Sequence, residues 1–220
     1  LMLVRQVNTL SQLGKLVVGA SLDDELFELL QVTESRNVLR TALIKEYFSP
    51  EYHQTLMNLG EENLRAFEYS QYLIEQAHKR VKETPEANAT YQAVRDQGFR
   101  KAIVRIYDHR CAMCGVRMLT SDGRTAVDAA HIIPWSISHN DDLHNGMALC
   151  GLWHWTFDQG LVSISNKYLV LLSSELRISL NVPGHLLTLE SRSILGPQEE
   201  YFWPSVESLE WHRQNVFRSM

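Results

Sequence analysis

The chain of 220 residues carries 21 basic and 26 acidic side chains, and 45% of its residues are hydrophobic. This balance is ordinary for a soluble globular protein and gives no overall sign of a nucleic-acid binder. Its apolar runs are shorter than the roughly 18 to 20 residues of a membrane span, and the first residues lack the apolar core of a signal peptide. Three cysteines, two of them in a Cys-x-x-Cys pair, indicate a reducing compartment rather than a disulfide scaffold. We therefore predict a cytoplasmic protein with no membrane segment.

Helical spacing of apolar residues dominates the first part of the chain. The first stripe begins after Ser21, which can cap it, the second ends at Pro50, and the third runs from Glu61 to about Lys82. The polar, proline-containing segment 82–86 is the best linker candidate. The sequence thus predicts a helical region over residues 1–85, with a role in target recognition or dimerisation left open, and a second region over residues 86–220.

The pattern changes in the second region. A fourth helix is predicted over residues 87–107, then a strand over 125–131, a polar loop over 136–146 and a short helix over 149–158. Short strands over 161–164 and 168–172, with Asn166-Lys167 between them, predict a hairpin. Together with the N-terminal helices, these elements predict an α+β fold.

Basic residues are concentrated just before the predicted strand. Between Tyr91 and Ala130 the sequence contains seven basic and four acidic residues, which gives a local net charge of about +3 in an acidic protein. A track for a phosphate backbone and a solvated helix face explain this charge equally well. The candidate nucleic-acid-binding residues are Arg100, Lys101, Arg105 and Arg110.

Cysteine spacing suggests a structural metal site. Cys111 and Cys114 put two thiols on one tight turn, the usual first half of a zinc knuckle, and Cys150 begins a second half. The fourth ligand of such a site would stand at position 153, which is Trp153. Three cysteines completed by water or another histidine are one reading, and three packed free cysteines with Trp153 filling the space are the other. The histidines considered as substitutes are His109, His139 and His144.

Two histidines flank the polar loop. His131 ends the predicted strand and His154 lies on the following short helix, so both can face one cleft. An imidazole can accept a proton from water near neutral pH, and it can also ligate a divalent metal ion. Asp128 is a suitable carboxylate co-ligand, while Asn145 can fix the loop backbone and Gly146 permits a turn. These are the parts needed for phosphodiester hydrolysis.

Four motifs follow one another along the second region. They are Tyr107-Asp108-x-x-Cys111-x-x-Cys114-Gly115, Ala130-His131-Ile132-x-Pro134, Asn145-Gly146-x-x-Leu149-Cys150 and His154-x-x-Phe157-Asp158-x-Gly160. As a set they resemble an HNH endonuclease domain with the ββα-metal fold, of the kind found in bacterial restriction-type nucleases. The resemblance covers about half of the chain, with a core over residues 107–165.

The resemblance implies a role for each of the central residues. His131 is the general base, Asn145 the loop-fixing residue, and His154 a ligand of a catalytic Mg²⁺ or Mn²⁺ ion. Many relatives carry Asp directly before the base, as a second metal ligand. This chain has Ala130 there, so Asp128 is the candidate second ligand. Relatives carry Cys or His, a zinc ligand, where this chain has Trp153, so the fourth ligand of the structural zinc is not identified.

The leading hypothesis from the sequence is a metal-dependent DNA endonuclease of restriction or defence, able to act as a homodimer. Its products would carry 5′-phosphate and 3′-hydroxyl ends, as the resemblance implies. One alternative is a catalytically impaired nucleic-acid-binding module on the same scaffold. Another is a helical interaction protein with a zinc-knuckle-like insert.

Overall fold

The computed structural model describes residues 21–79, 92–121, 123–178 and 184–219. The chain divides by its contacts into two compact units, residues 1–59 and residues 60–220. The second unit therefore begins within a helix, upstream of the boundary near residue 85 that the sequence predicted, and the predicted linker lies outside the described residues. Helices occur together with small antiparallel sheets, as the predicted α+β class requires. No helix within the described ranges is long and apolar enough to cross a membrane.

The first unit is helical where it is described. It contains α1 (Asp24–Gln31), α2 (Thr33–Tyr47) and the start of α3 (Pro50–Lys79). Asp23, rather than the predicted Ser21, caps α1, because its carboxylate accepts a hydrogen bond of 3.0 Å from the backbone N–H of Glu25. Pro50 lies after the end of α2 and is the first residue of α3. A proline has no backbone N–H, and this is tolerated there because the first N–H groups of a helix have no acceptor within it. The third helix thus starts well before the predicted Glu61.

The second unit contains the remaining elements. Most of them are short. In chain order they are α4 (Gln92–Ile106), β1 (Val127–His131), α5 (Trp135–Ser138), β2 (Gly146–Cys150), α6 (Gly151–Asp158), β3 (Val162–Ile164), β4 (Val170–Leu172), α7 (Ser174–Ile178), α8 (Gly184–Leu187) and α9 (Val206–Asn215).

Strands β1 and β2 pair antiparallel, and α6 follows β2 directly. The register places His131 opposite Gly146 and Val127 opposite Cys150. The predicted start of the short helix at Leu149 was wrong, because the pairing with β1 keeps the chain extended through Cys150. The loop between the strands is closed at its base by the first of these pairs, which fixes where His131 stands.

Helix α4 packs across β1 and β2 and contributes to the core of the second unit. Phe99 and Ile103 are buried on this helix, and a Cβ atom at Gly146 would collide with both side chains. Gly146 is extended, with φ of −132°. The expectation that Gly146 permits a turn was therefore wrong; the missing side chain lets α4 approach the strands closely.

The predicted hairpin is present downstream of α6. Strands β3 and β4 pair antiparallel with Val162 opposite Leu172, although each is shorter than the sequence predicted. Between α6 and β3, Gly160 has a φ of +69°, and the carbonyl of Val216 occupies the space that a Cβ atom would need. The end of α6 is thus packed tightly against the segment that follows α9.

Candidate active site

His131 and His154 line one cleft of about 340 Å³ in the second unit. His131 is presented by the end of β1 and His154 by the first turns of α6, so the β1–β2 pairing and the abrupt strand-to-helix junction bring them together. Asp158, one turn further along α6, lines the same cleft, and its Oδ2 lies 3.6 Å from Nε2 of His154. We call this space the histidine cleft.

The His131 ring is held on its edge and on its face. Its Nε2 lies 2.8 Å from Oδ1 of Asp141, and the ring stacks on Phe99 with 3.9 Å between the ring centroids and 8° between the planes. Among the described residues no hydrogen-bond partner is found for Nδ1. The ring nitrogen that remains for a molecule in the cleft is therefore Nδ1.

Asp141 is buried and surrounded by donors. Nη1 of Arg95 lies 2.8 Å from each carboxylate oxygen, and the hydroxyl of Tyr69 donates to Oδ2 at 3.1 Å. Burial alone would raise the pKa of Asp141, but the hydrogen bond from His131 and the charge of Arg95 outweigh it and lower the pKa below the usual value. The carboxylate is thus ionised and acts only as an acceptor.

Asn145 ties together the loop between the two strands. It is 1% exposed, and its Oδ1 accepts a hydrogen bond from the backbone N–H of Ile133 at 2.9 Å. Its Nδ2 donates to the carbonyl of Ile133 at 3.0 Å and to that of Asn140 at 3.2 Å. These three bonds hold the chain on both sides of the loop, directly after His131.

Asp128 does not join the histidine cleft. Its exposed carboxylate pairs with Arg100, with 2.6 Å between Nε and Oδ1. Three residues before His131 on a strand, the side chain leaves on the other face, and the cleft is lined by Ala129 instead. The structure therefore gives no support to Asp128 as the co-ligand of His154.

The four candidate nucleic-acid-binding residues have different surroundings. Arg100 forms an ion pair with Asp128. Nζ of Lys101 donates a hydrogen bond to the carbonyl of Asn63 at 3.3 Å, and burial lowers the pKa of the Lys101 amine. Arg105 and Arg110 are exposed. The latter two are the better candidates for a contact with phosphate.

The three cysteines converge on one point. The sulfur atoms of Cys111, Cys114 and Cys150 all lie within 4.8 Å of one another, and those of Cys114 and Cys150 are 3.9 Å apart. Two thiolates on one tetrahedral zinc ion lie about 3.8 Å apart, so this spacing suits a metal ion. Burial raises the pKa of the Cys111 thiol, although nearby backbone N–H groups oppose this.

No fourth ligand joins the sulfur cluster within the described ranges. His109, His139 and His144 stand outside it, so none of the substitutes considered from the sequence completes the site. Trp153 is 2% exposed and belongs to the core of the second unit. Its indole therefore packs inward and offers no ligand atom to the three cysteines.

A larger cavity of about 680 Å³ lies elsewhere in the second unit, with Tyr168, Tyr201 and Trp211 in its wall. It contains Asn145 but neither of the two histidines that could act on a phosphodiester. Size therefore does not identify the reactive site, and the smaller histidine cleft is the better candidate.

The sequence analysis assigned no role to three residues around this cleft. Asp158 had a visible signal, since it stands four residues after His154 on a predicted helix and thus shares its face. Asp141 had no such signal, because the sequence of the polar loop does not distinguish it from the other polar residues there. His212 of α9 donates through Nε2 to the carbonyl of Phe157 at 3.1 Å, and burial lowers its pKa to about 4, so it is a neutral support for the end of α6.

Residues 111–165 match the family model of the HNH endonucleases. The resemblance seen in the sequence is thus confirmed for this segment, which contains both histidines of the cleft, Asn145 and all three cysteines and makes up about a quarter of the chain.

A solved structure similar to this chain is that of the modification-dependent TagI restriction endonuclease. The two are 22% identical with a TM-score of 0.39, and the alignment covers 61% of this chain and 40% of that one. This chain therefore spans less than half the length of that protein. No protein of curated function matches the chain.

Proposed function

We propose that this chain is a metal-dependent HNH endonuclease that hydrolyses DNA phosphodiester bonds, with restriction or defence as its biological role. The observation that carries the proposal is the meeting of His131 and His154 in one cleft, within the segment that matches the family. A base for water and a ligand for a metal ion are the two functions that this reaction needs.

His131 is the general base of the proposed reaction. Its Nδ1 takes a proton from water as the water oxygen bonds to phosphorus. The bond from phosphorus to the 3′ oxygen breaks, and the leaving oxygen takes a proton from solvent. The products then carry 5′-phosphate and 3′-hydroxyl ends. Asn145 keeps the loop after His131 in place, so that the ring and the bound phosphate keep a fixed distance.

His154 and Asp158 are the proposed ligands of a catalytic Mg²⁺ or Mn²⁺ ion. Their ligand atoms lie 3.6 Å apart on one face of α6, and the Asp158 side chain is 54% exposed, so a small rotation brings both onto one ion. Burial of the rest of the Asp158 side chain raises its pKa, and the nearby His154 opposes this. When bound, the ion supplies charge stabilisation at the phosphate and at the leaving oxygen.

The proposal is tested by incubating supercoiled plasmid with the full chain and Mg²⁺ or Mn²⁺, in unmodified and in base-modified form. We expect nicked or linear DNA that depends on the ion and disappears with EDTA. RNA and single-stranded DNA in parallel reactions define the substrate. If the chain binds DNA but cleaves none of these substrates, the catalytically impaired binding module is favoured instead. Ala130, which stands where many relatives have a carboxylate, is an observation in favour of that alternative.

The sulfur cluster is the proposed site of a structural zinc ion held by Cys111, Cys114 and Cys150. We expect about one zinc per chain by elemental analysis and its loss in Cys150→Ser. Because a ligand present at about 100 times its Kd stabilises a fold by about 2.7 kcal/mol, the variant should lose about 3 kcal/mol of unfolding free energy.

The matched control for the zinc site is Met113→Leu, a volume-conserving change between two of the cysteines that should cost less than about 1.5 kcal/mol and keep the metal. The opposite result would have two parts: the parent protein binds no zinc even after reconstitution with zinc, and Cys150→Ser is as stable as the parent. It would mean that three packed thiols support the fold without a metal ion.

We further propose that the protein acts in the cytoplasm on DNA, and that residues 1–85 serve target recognition or dimerisation. Pairing of two copies would let one site cut each strand of a duplex.

A further inference from the structure

We infer that Asp141 is the positioning residue for His131: it fixes the imidazole as the tautomer with hydrogen on Nε2, so that the lone pair of Nδ1 is available in the cleft. The two atoms that make this contact, Nε2 and Oδ1 of Asp141, lie 2.8 Å apart. The catalytic consequence rests on the proposed nuclease function, whereas the tautomer is a property of the folded chain whatever its activity.

The charge state of Asp141 dictates the direction of this hydrogen bond. Asp141 is 1% exposed, and its carboxylate is kept ionised by Nη1 of Arg95 at 2.8 Å and the hydroxyl of Tyr69 at 3.1 Å. An ionised carboxylate has no hydrogen to donate, so a neutral His131 must be the donor. Its hydrogen therefore stands on Nε2, and Nδ1 is the acceptor.

The surroundings also prevent the ring from exchanging its two edges. Phe99 lies parallel to the imidazole at 3.9 Å and restricts it to one plane. On the other side of Asp141, the guanidinium carbon of Arg95 lies 3.9 Å from the centroid of Trp135, which lines the same cleft. Arg95 is thus itself held in place, and the carboxylate cannot turn away without leaving a buried charge unpaired.

A purely structural role is the competing explanation. The pair of Arg95 and Asp141 links α4 to the loop between β1 and β2, and the bond to His131 would then be incidental. The two explanations differ in what an amide at position 141 does. In Asp141→Asn the amide oxygen is drawn to the donors Arg95 and Tyr69, so its N–H₂ faces His131 and forces Nε2 to accept.

The experiment combines ¹⁵N spectra of the imidazoles with cleavage kinetics. In the unaltered protein we expect a protonated Nε2 and an unprotonated Nδ1 for His131, whose signals are assigned by their loss in His131→Asn. In Asp141→Asn we expect the opposite tautomer and a kcat lower by about a hundredfold or more, with KM for plasmid within about threefold.

The matched control is Asp142→Asn, the same change one residue later, where the carboxylate contacts Nδ1 of His144 at 2.6 Å instead. It should keep the His131 tautomer and a rate within about threefold of the parent. A hydrogen on Nδ1 in the unaltered protein would overturn the inference, as would an Asp141→Asn variant with parental tautomer and rate.

The spectra of the unaltered protein decide the tautomer even where Asp141→Asn does not fold. They also do so where the chain cleaves no DNA. Failure of the proposed function is therefore seen in the plasmid assay, and failure of the positioning role in the spectra.

Discussion

His131→Ala is expected to lower the rate of plasmid cleavage by about 10²- to 10⁴-fold, the range over which a general base accelerates proton transfer. The substitution removes the one ring that reaches both the cleft and Asp141, and no other described residue offers a base with the same support. DNA binding should change little, because the ring contributes a proton acceptor rather than charge to the phosphate contact. Initial rates at saturating Mn²⁺, with binding followed by fluorescence anisotropy, measure the two effects separately.

The control for this variant is His139→Asn, since His139 is an exposed histidine of the same loop and lies outside the cleft. Its backbone has a φ of +47°, a conformation that Asn tolerates better than Ala. We expect His139→Asn to cleave within about threefold of the parent. Equal rates for His131→Ala and the parent would remove His131 as the base and point to a contaminating nuclease.

The sequence predicted the parts of this site that follow from local spacing. His131, Asn145 and His154 stand at the end of a strand, at the base of a loop and on a helix, and the structure brings the two histidines to one cleft. Asn145 fixes the loop by bonds to its immediate neighbourhood, which spacing alone can suggest. Such features depend on contacts between residues close in the chain or paired across one hairpin.

The features that the sequence did not predict depend on long-range packing. Arg95 and Asp141 are 46 residues apart and meet only because α4 lies across the β1–β2 pair. Gly146 looked like a turn residue because Asn-Gly is a common turn pair, yet its backbone is extended and its missing side chain serves the approach of α4. No pattern within a short window of sequence distinguishes these cases.

The second large effect concerns the carboxylate that accompanies His154. We expect Asp158→Asn to raise the Mn²⁺ concentration for half-maximal cleavage by about tenfold or more, because it removes a charged ligand atom 3.6 Å from Nε2 of His154. His154→Ala should lower cleavage further, to the background of the assay. Isothermal titration of Mn²⁺ into the full chain measures the same loss of affinity without DNA.

Asp128→Asn is the matched control, because it makes the same change at the carboxylate that the sequence alone suggested. Asp128 is exposed and paired with Arg100, so its loss should cost no more than about 1 kcal/mol of stability and leave Mn²⁺ affinity within about threefold. The reverse result, with Asp128→Asn impaired and Asp158→Asn unaffected, would mean that β1 rearranges when the ion binds. Since the two changes are chemically identical, the comparison assigns the ligand by position alone, and it does so whether or not His131 proves to be the base.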